Sequence, residues 1–145
     1  MQNKSEKTIV GYTTGVFDLF HIGHLNILKK AKQACDYLIV GVTSDTLVNS
    51  RKNKKPVIPF QERMEILKAI RYVDEVVEQS DMDKFTTWKK LQFNVMFVGD
   101  DWKGSRRWNK YEKELNTVGV KIVYFPYTRN TSSTLLKATL EELQK

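Results

Sequence analysis

What most constrains this chain is an alternation between two hydrophobic periods. Thr8–Thr14 and Tyr37–Thr43 are short runs of β-branched and aromatic residues, the pattern of buried strands. Between them Leu25, Leu28, Ala31 and Ala34 recur every third residue, which lines one face of a helix. Phe60, Met64, Leu67 and Ile70 repeat the helical spacing. Val73–Val77, Val95–Val98 and Val120–Phe125 read as three more strands, and Phe85–Phe93 and Arg107–Val118 as helices. Leu136, Leu140 and Leu143 give a last helix its stripe. Strands that alternate with helices need crossover connections, so the sheet is mostly parallel and covered on both faces. With right-handed crossovers, the predicted fold is an α/β, Rossmann-like doubly wound sandwich around a mostly parallel five-stranded sheet. A chain of 145 residues makes one such domain.

Two polar stretches, Asp45–Pro59 and Gly99–Arg106, read as loops. The first holds Arg51, Lys52, Lys54, Lys55 and two prolines; the second holds two aspartates, a tryptophan and a glycine. Ligands of doubly wound sheets bind outside the carboxyl ends of the strands. Both stretches follow strands, so both are expected at the functional end. The chain carries 24 Lys and Arg against 17 Asp and Glu, a formal charge of +7. That balance favours an anionic partner, whether nucleic acid, a membrane surface or a phosphorylated small molecule. The single cysteine, Cys35, has no partner within the chain, and Met1–Lys7 is too polar for a secretory signal. No run approaches the roughly 18 apolar residues of a membrane span. A cytoplasmic location is the expectation.

The densest local signal is Gly15-Val16-Phe17-Asp18-Leu19-Phe20-His21-Ile22-Gly23-His24, which runs from the first strand into the first helix. A helix amino terminus presents unpaired N–H groups and partial positive charge to an anion. His21 and His24, three apart, face the same way on a helix turn. Gly23 lets a phosphate approach the backbone. Two imidazoles there can donate to phosphoryl oxygens and stabilise charge that builds in a transition state. In the plainer alternative, His21 caps the helix and His24 is a surface residue.

Following a first strand, His21-Ile22-Gly23-His24 resembles the signature of the HxGH nucleotidyltransferase superfamily. It also spells the signature of class I aminoacyl-tRNA synthetases, which are far longer and carry a KMSKS loop not found here. Arg71-Tyr72-Val73-Asp74-Glu75-Val76 and Gly99-Asp100-Asp101-Trp102 narrow the resemblance to the cytidylyltransferase branch, and within it to the bacterial glycerol-3-phosphate cytidylyltransferases. It covers Gly15–Thr134.

That resemblance implies a CTP-dependent enzyme, homodimeric, that uses Mg2+ with the nucleotide phosphates and a small phosphorylated alcohol as acceptor. It implies catalytic roles for His21, His24, Lys52, Lys54 and Arg129. Nucleotide contacts are implied at Thr14, Gly15, Val16, Phe17, Gly23, Gly99, Asp101, Ser132, Ser133 and Thr134. Contacts to the second substrate fall on Asp18, Asp45, Arg63, Arg71 and Trp88, although Trp88, with Phe85 and Phe93 on one predicted helix, reads from the residues alone as core. Lys52 and Lys54 match the family's lysine-x-lysine if one residue is inserted before Pro56; otherwise the register falls on Arg51 and Asn53. Arg63 matches an arginine that grips the acceptor phosphate, a task its planar fork suits. Asp101 is placed to accept from the exocyclic amine of cytosine. Arg71 and Asp74 are either substrate contacts or a pair crossing a subunit interface.

Pro126–Thr134 departs from the family's RTxGISTT: Tyr127 stands for the arginine and Asn130 for the glycine, with Arg129 two positions on as the substitute guanidinium. The hydroxyls that follow suit a helix cap. On the residues alone, two other readings remain. One is an adenylyltransferase making a dinucleotide cofactor. The other is a nucleic-acid-binding module that uses the mixed basic and aromatic stretch Trp102–Tyr111.

Overall fold

The computed structural model describes residues 8–52, 55–81, 83–100, 103–126 and 133–144, at 50–52 and 133–134 as backbone only. Strands and helices alternate as β1 (Val10–Gly15), α1 (Ile22–Gln33), β2 (Tyr37–Thr43), α2 (Asp45–Lys52), α3 (Phe60–Lys68), β3 (Glu75–Gln79), α4 (Lys84–Leu91), β4 (Val95–Gly99), α5 (Arg106–Asn116), β5 (Lys121–Phe125) and α6 (Ser133–Leu143). The sheet has the order β3-β2-β1-β4-β5, and every neighbouring pair is parallel. The chain lays down β1, β2 and β3 in one direction and then returns to place β4 and β5 beside β1 on the other side. The order therefore reverses between β1 and β4, and the crevice at their carboxyl ends is the natural ligand site.

Period-two alternation along the strands separates two cores. Leu38, Val40 and Val42 of β2 and Val95 and Phe97 of β4 face Leu28 and Ala31 of α1 and Leu67 of α3. Ile39 of β2, Met96 and Val98 of β4 and Tyr12 of β1 face Trp108 and Leu115 of α5, with Phe85 and Trp88 of α4 packed against them. The sheet is thus covered on both faces, as its continuous apolar strands require.

Two expectations need correction. The stretch after β2 does not begin as a loop, because Asp45–Lys52 forms α2. The Ser44 hydroxyl accepts from the Leu47 amide at 3.1 Å, Val48 N bonds the Ser44 carbonyl at 3.0 Å, and Val48 is buried. A cap and one buried anchor suffice for two turns in a segment too polar to show a stripe. β3 begins at Glu75 rather than Val73, because Val73 N closes a turn onto Ile70 O at 3.0 Å. Asp74 then accepts from Leu38 N at 2.8 Å and from Lys32 Nζ at 2.6 Å. Those bonds place Asp74 at the amino end of β2, paired with Lys32.

Candidate active site

The turn after β1 is held in a costly conformation. Phe17 and Leu19 have φ of 54° and 51°, left-handed values that a non-glycine residue adopts only when its surroundings demand it. Asp18 lies between them, 4% exposed, and its carboxylate accepts from Val57 N and Ile58 N, each at 2.8 Å, and from Lys137 Nζ at 3.1 Å. Burial raises the Asp18 pKa, but the Ile58 and Val57 amides and Lys137 outweigh it and hold the carboxyl below its usual range. Asp18 therefore acts on protein groups, which differs from the substrate contact that the resemblance implies.

The two histidines form a reciprocal helix cap. His21 Nδ1 accepts from Gly23 N at 3.0 Å, and His24 Nδ1 accepts from His21 N at 3.2 Å. An Nδ1 that accepts carries no proton, so each ring is a neutral imidazole with its one donor at Nε2. The ring centroids are 4.0 Å apart, and His24 also meets the rings of Phe17 and Phe20 at 5.4 and 5.3 Å. Burial among these rings pushes the His24 pKa down to about 4, with His21 adding to the fall and Asp18 opposing it. Burial lowers His21 too. The expected cap and the expected site are thus one arrangement: capping sets the tautomer that makes both rings donors. Gly23 is buried, and its N–H is committed to His21.

Arg63 is the clearest departure from the family-based expectation. It is 1% exposed, and its guanidinium donates to Ile58 O at 2.9 Å, to Val16 O and Thr43 O at 2.8 Å each, and to the Asp45 carboxylate. A guanidinium enclosed in this way joins the ends of β1 and β2 to the starts of α2 and α3. It does not present a two-pronged face to an acceptor phosphate. Asp45 also accepts from Phe60 N at 3.2 Å and, with Thr46, Asn49 and Lys55, lines an open concavity of about 440 Å³.

Other predicted residues divide by end of the sheet. Thr14, Gly15, Val16, Phe17 and Gly99 lie at the carboxyl ends of β1 and β4, beside the reversal in strand order. The Thr14 hydroxyl is spent inside, on Gln79 Oε1, which also accepts from Thr43 Oγ1 at 2.8 Å. Trp88 is not in this group. Its indole donates to Phe93 O at 3.1 Å, next to Asn94, which bonds Val10 at the amino end of β1. Its polar handle and its faces are used by the second core. Arg71 also lies at the amino end, over the Tyr72 ring at 5.3 Å. Lys54, Asp101, Arg129 and Ser132, together with Asn53 and Trp102, lie outside the described residues, as do the side chains of Arg51, Lys52, Ser133 and Thr134. Of the aromatics in the Trp102–Tyr111 stretch, Trp108 is buried in the second core and Tyr111 meets its ring edge-on at 5.3 Å.

Sequence reasoning missed Phe17 and Phe20 as the walls of His24, and Gln79 and Lys137 altogether. The two phenylalanines are visible in the motif, but only the left-handed turn brings Phe17 onto the imidazole. Gln79 and Lys137 have no local signal.

A parallel sheet whose reversal point carries a helix amino terminus and paired neutral imidazole donors defines a nucleotidyltransferase. A family model described as cytidylyltransferase-like matches residues 12–140, and the chain belongs to that family. It is 36% identical over 136 residues to the glycerol-3-phosphate cytidylyltransferase of Bacillus subtilis (strain 168), covering 90% of this chain and 96% of that one. It is also 39% identical over 129 residues to an FAD synthase of Pyrococcus abyssi, covering 86% and 83%. Among solved structures, a lipopolysaccharide core biosynthesis protein from Thermoplasma volcanium superposes with a TM-score of 0.71 at 23% identity, over 86% of this chain and all of that one. That last likeness is one of fold.

Proposed function

We propose that this nucleotidyltransferase moves CMP from CTP to a small phosphorylated alcohol, glycerol 3-phosphate first, giving a CDP-alcohol and pyrophosphate. The observation that carries the reading is the pair of Nε2–H donors fixed at the reversal point by the cap, in a chain similar to glycerol-3-phosphate cytidylyltransferases over most of its length. An acceptor phosphate oxygen attacks the α-phosphorus in line, the bond to the bridging oxygen breaks, and its electron pair leaves with pyrophosphate. His21 and His24 donate to the α-phosphoryl oxygens as charge gathers there. Both hydrogen bonds are preorganised, so little reorganisation is needed as the charge builds. The lysines of the basic segment and the Ser132–Thr134 hydroxyls hold the phosphates, and Asp101 reads the base.

Magnesium in this reading enters with the triphosphate and partly neutralises it, because Mg2+ takes most of its ligands from phosphate and water. Among the described residues no three His, Cys, Asp or Glu side chains converge on a point. No helix among them is long and apolar enough to cross a membrane, and we place the enzyme with its nucleotide in the cytoplasm.

A second reading, adenylyl transfer to make a dinucleotide cofactor, is favoured by the similarity to FAD synthases. Pyrophosphate release separates the two. Purified enzyme is given CTP or ATP with magnesium, and glycerol 3-phosphate, a longer polyol phosphate, phosphocholine, phosphoethanolamine or FMN. The first reading expects turnover with CTP and a polyol phosphate. Faster turnover of phosphocholine or phosphoethanolamine would overturn the acceptor alone. Activity with ATP and none with CTP would overturn the nucleotide as well.

A further inference from the structure

We propose that Lys137 is a positioning residue for the nucleotide: through Asp18 it seats the start of α6 against the histidine turn and the exit of the basic segment. The inference rests on the nucleotidyl-transfer reading of the site. Its geometry centres on one carboxylate. Asp18 lies three residues before His21, in the turn held by the left-handed Phe17 and Leu19. It takes the amides of Val57 and Ile58 at 2.8 Å each, which fixes the backbone just after the basic segment. Its Oδ2 also meets Lys137 Nζ at 3.1 Å, with 30% of the lysine side chain and 4% of the aspartate exposed.

Among its described side chains, α6 docks through Leu136 and Lys137. From 135 to 144 only Leu136 and Lys137 are half-buried, and every other position is exposed. The helix begins at Ser133, one turn earlier, so the ammonium sets where that first turn sits relative to His21 and His24. A carboxylate as buried as Asp18 is costly without a cation beside it. The ammonium joins the two amides in holding that charge, and so ties α6 to the backbone they fix. One ion pair thereby couples three segments that are far apart in sequence and meet at the carboxyl end of the sheet. Val57 N, Ile58 N and Lys137 Nζ, the atoms described on Asp18, belong to no reacting group. Loss of the pair should therefore appear in nucleotide binding more than in the rate at saturation.

The test uses the full chain as Lys137→Met and Lys137→Arg. An ion pair intermediate between exposed and buried predicts that Lys137→Met raises the Kd and KM for CTP about five- to thirtyfold. The value of kcat at saturating CTP should hold within about twofold, since uniform binding has been lost. Lys137→Arg should restore most of the affinity. Hydrogen exchange without nucleotide should show faster exchange in Lys137→Met at the Val57 and Ile58 amides and through the first turns of α6, returned toward wild type in Lys137→Arg. Wild-type exchange at Val57 and Ile58 in Lys137→Met overturns the proposal, and so does unchanged CTP affinity. A fall in kcat matching the loss of affinity, with no rescue by arginine, overturns it too. A wild-type chain that binds no CTP overturns the cytidylyl reading instead, and the exchange at Val57 and Ile58 then still decides the role of Lys137.

Discussion

At the scale of single residues, the most consequential bond is the one His21 and His24 each accept at Nδ1. It makes the rings neutral donors and ties their chemistry to the integrity of the helix start. Replacing either by alanine should lower kcat about a hundredfold or more while leaving CTP binding much closer to wild type, as expected for a donor used mainly in the transition state. Steady-state kinetics beside a CTP titration checks this. A variant that keeps more than about a third of the wild-type kcat would remove that histidine from the mechanism.

The same burial has a pH consequence for folding. The His24 pKa of about 4 lies below the unfolded value near 6.5. In that window the unfolded chain binds a proton that the folded chain does not, so stability rises with pH. His24 thus contributes its full share above about pH 6.5 and loses it as pH falls toward about 4. Denaturant midpoints at pH 7 and pH 5 should show the drop, and His24→Gln should show a smaller one.

At the scale of elements, the sheet is tightest where β1 and β2 meet. A Cβ on Gly41 of β2 would stand 2.3 Å from the hydroxyl oxygen of Tyr12, whose ring stacks on Phe93 at 4.9 Å. The ring cannot retreat, so Gly41→Ala should destabilise by about 1–3 kcal/mol. Removing the hydroxyl in Tyr12→Phe should recover part of that loss in the double variant, measured by denaturant unfolding. Elements of this kind were legible in the sequence wherever a period was clear. The five strands and the helices α1, α3, α4 and α5 lie where their apolar spacing places them, within a residue or two at most ends. α2 was not legible, because Val48, the buried anchor among its described side chains, makes no stripe, and its cap becomes visible only once Ser44 is known to follow a strand end. Trp88 packs in the second core, as its place beside Phe85 on the helix implies, and at the amino end of the sheet it lies away from the substrate contact that the resemblance implies.

At the scale of the whole molecule, Ile22, Val57 and Leu135 are 49%, 48% and 54% exposed; Ile22 adjoins His21, Val57 gives its amide to Asp18, and Leu135 lies two residues before Lys137. Exposed apolar residues next to such a network in sequence suit a partner surface if they form one patch. We expect a homodimer, with Ile22→Glu weakening it. Light scattering at micromolar protein checks the mass, and a fully active monomer would refute the expectation. The formal charge of +7 does not require a nucleic-acid partner, because the aromatic residues that would have stacked on bases, Trp108 and Tyr111, pack in the second core.

By itself the sequence determined the alternation of strand and helix, the parallel sheet that alternation requires, and the place of His21-Ile22-Gly23-His24 at a strand-to-helix turn. Those properties are set by residues a few positions apart, through periods of two and 3.6 and through capping. Tertiary structure decided which charged residues meet the site as protein partners. Arg63 reaches Val16 and Thr43, and Asp18 reaches Ile58 and Lys137, across stretches of chain with no shared local pattern. Only the packed sheet brings those groups within hydrogen-bonding distance. Once they are enclosed, the cost of leaving a charge unpaired turns an arginine and an aspartate that look like substrate contacts into the framework that holds the histidine turn.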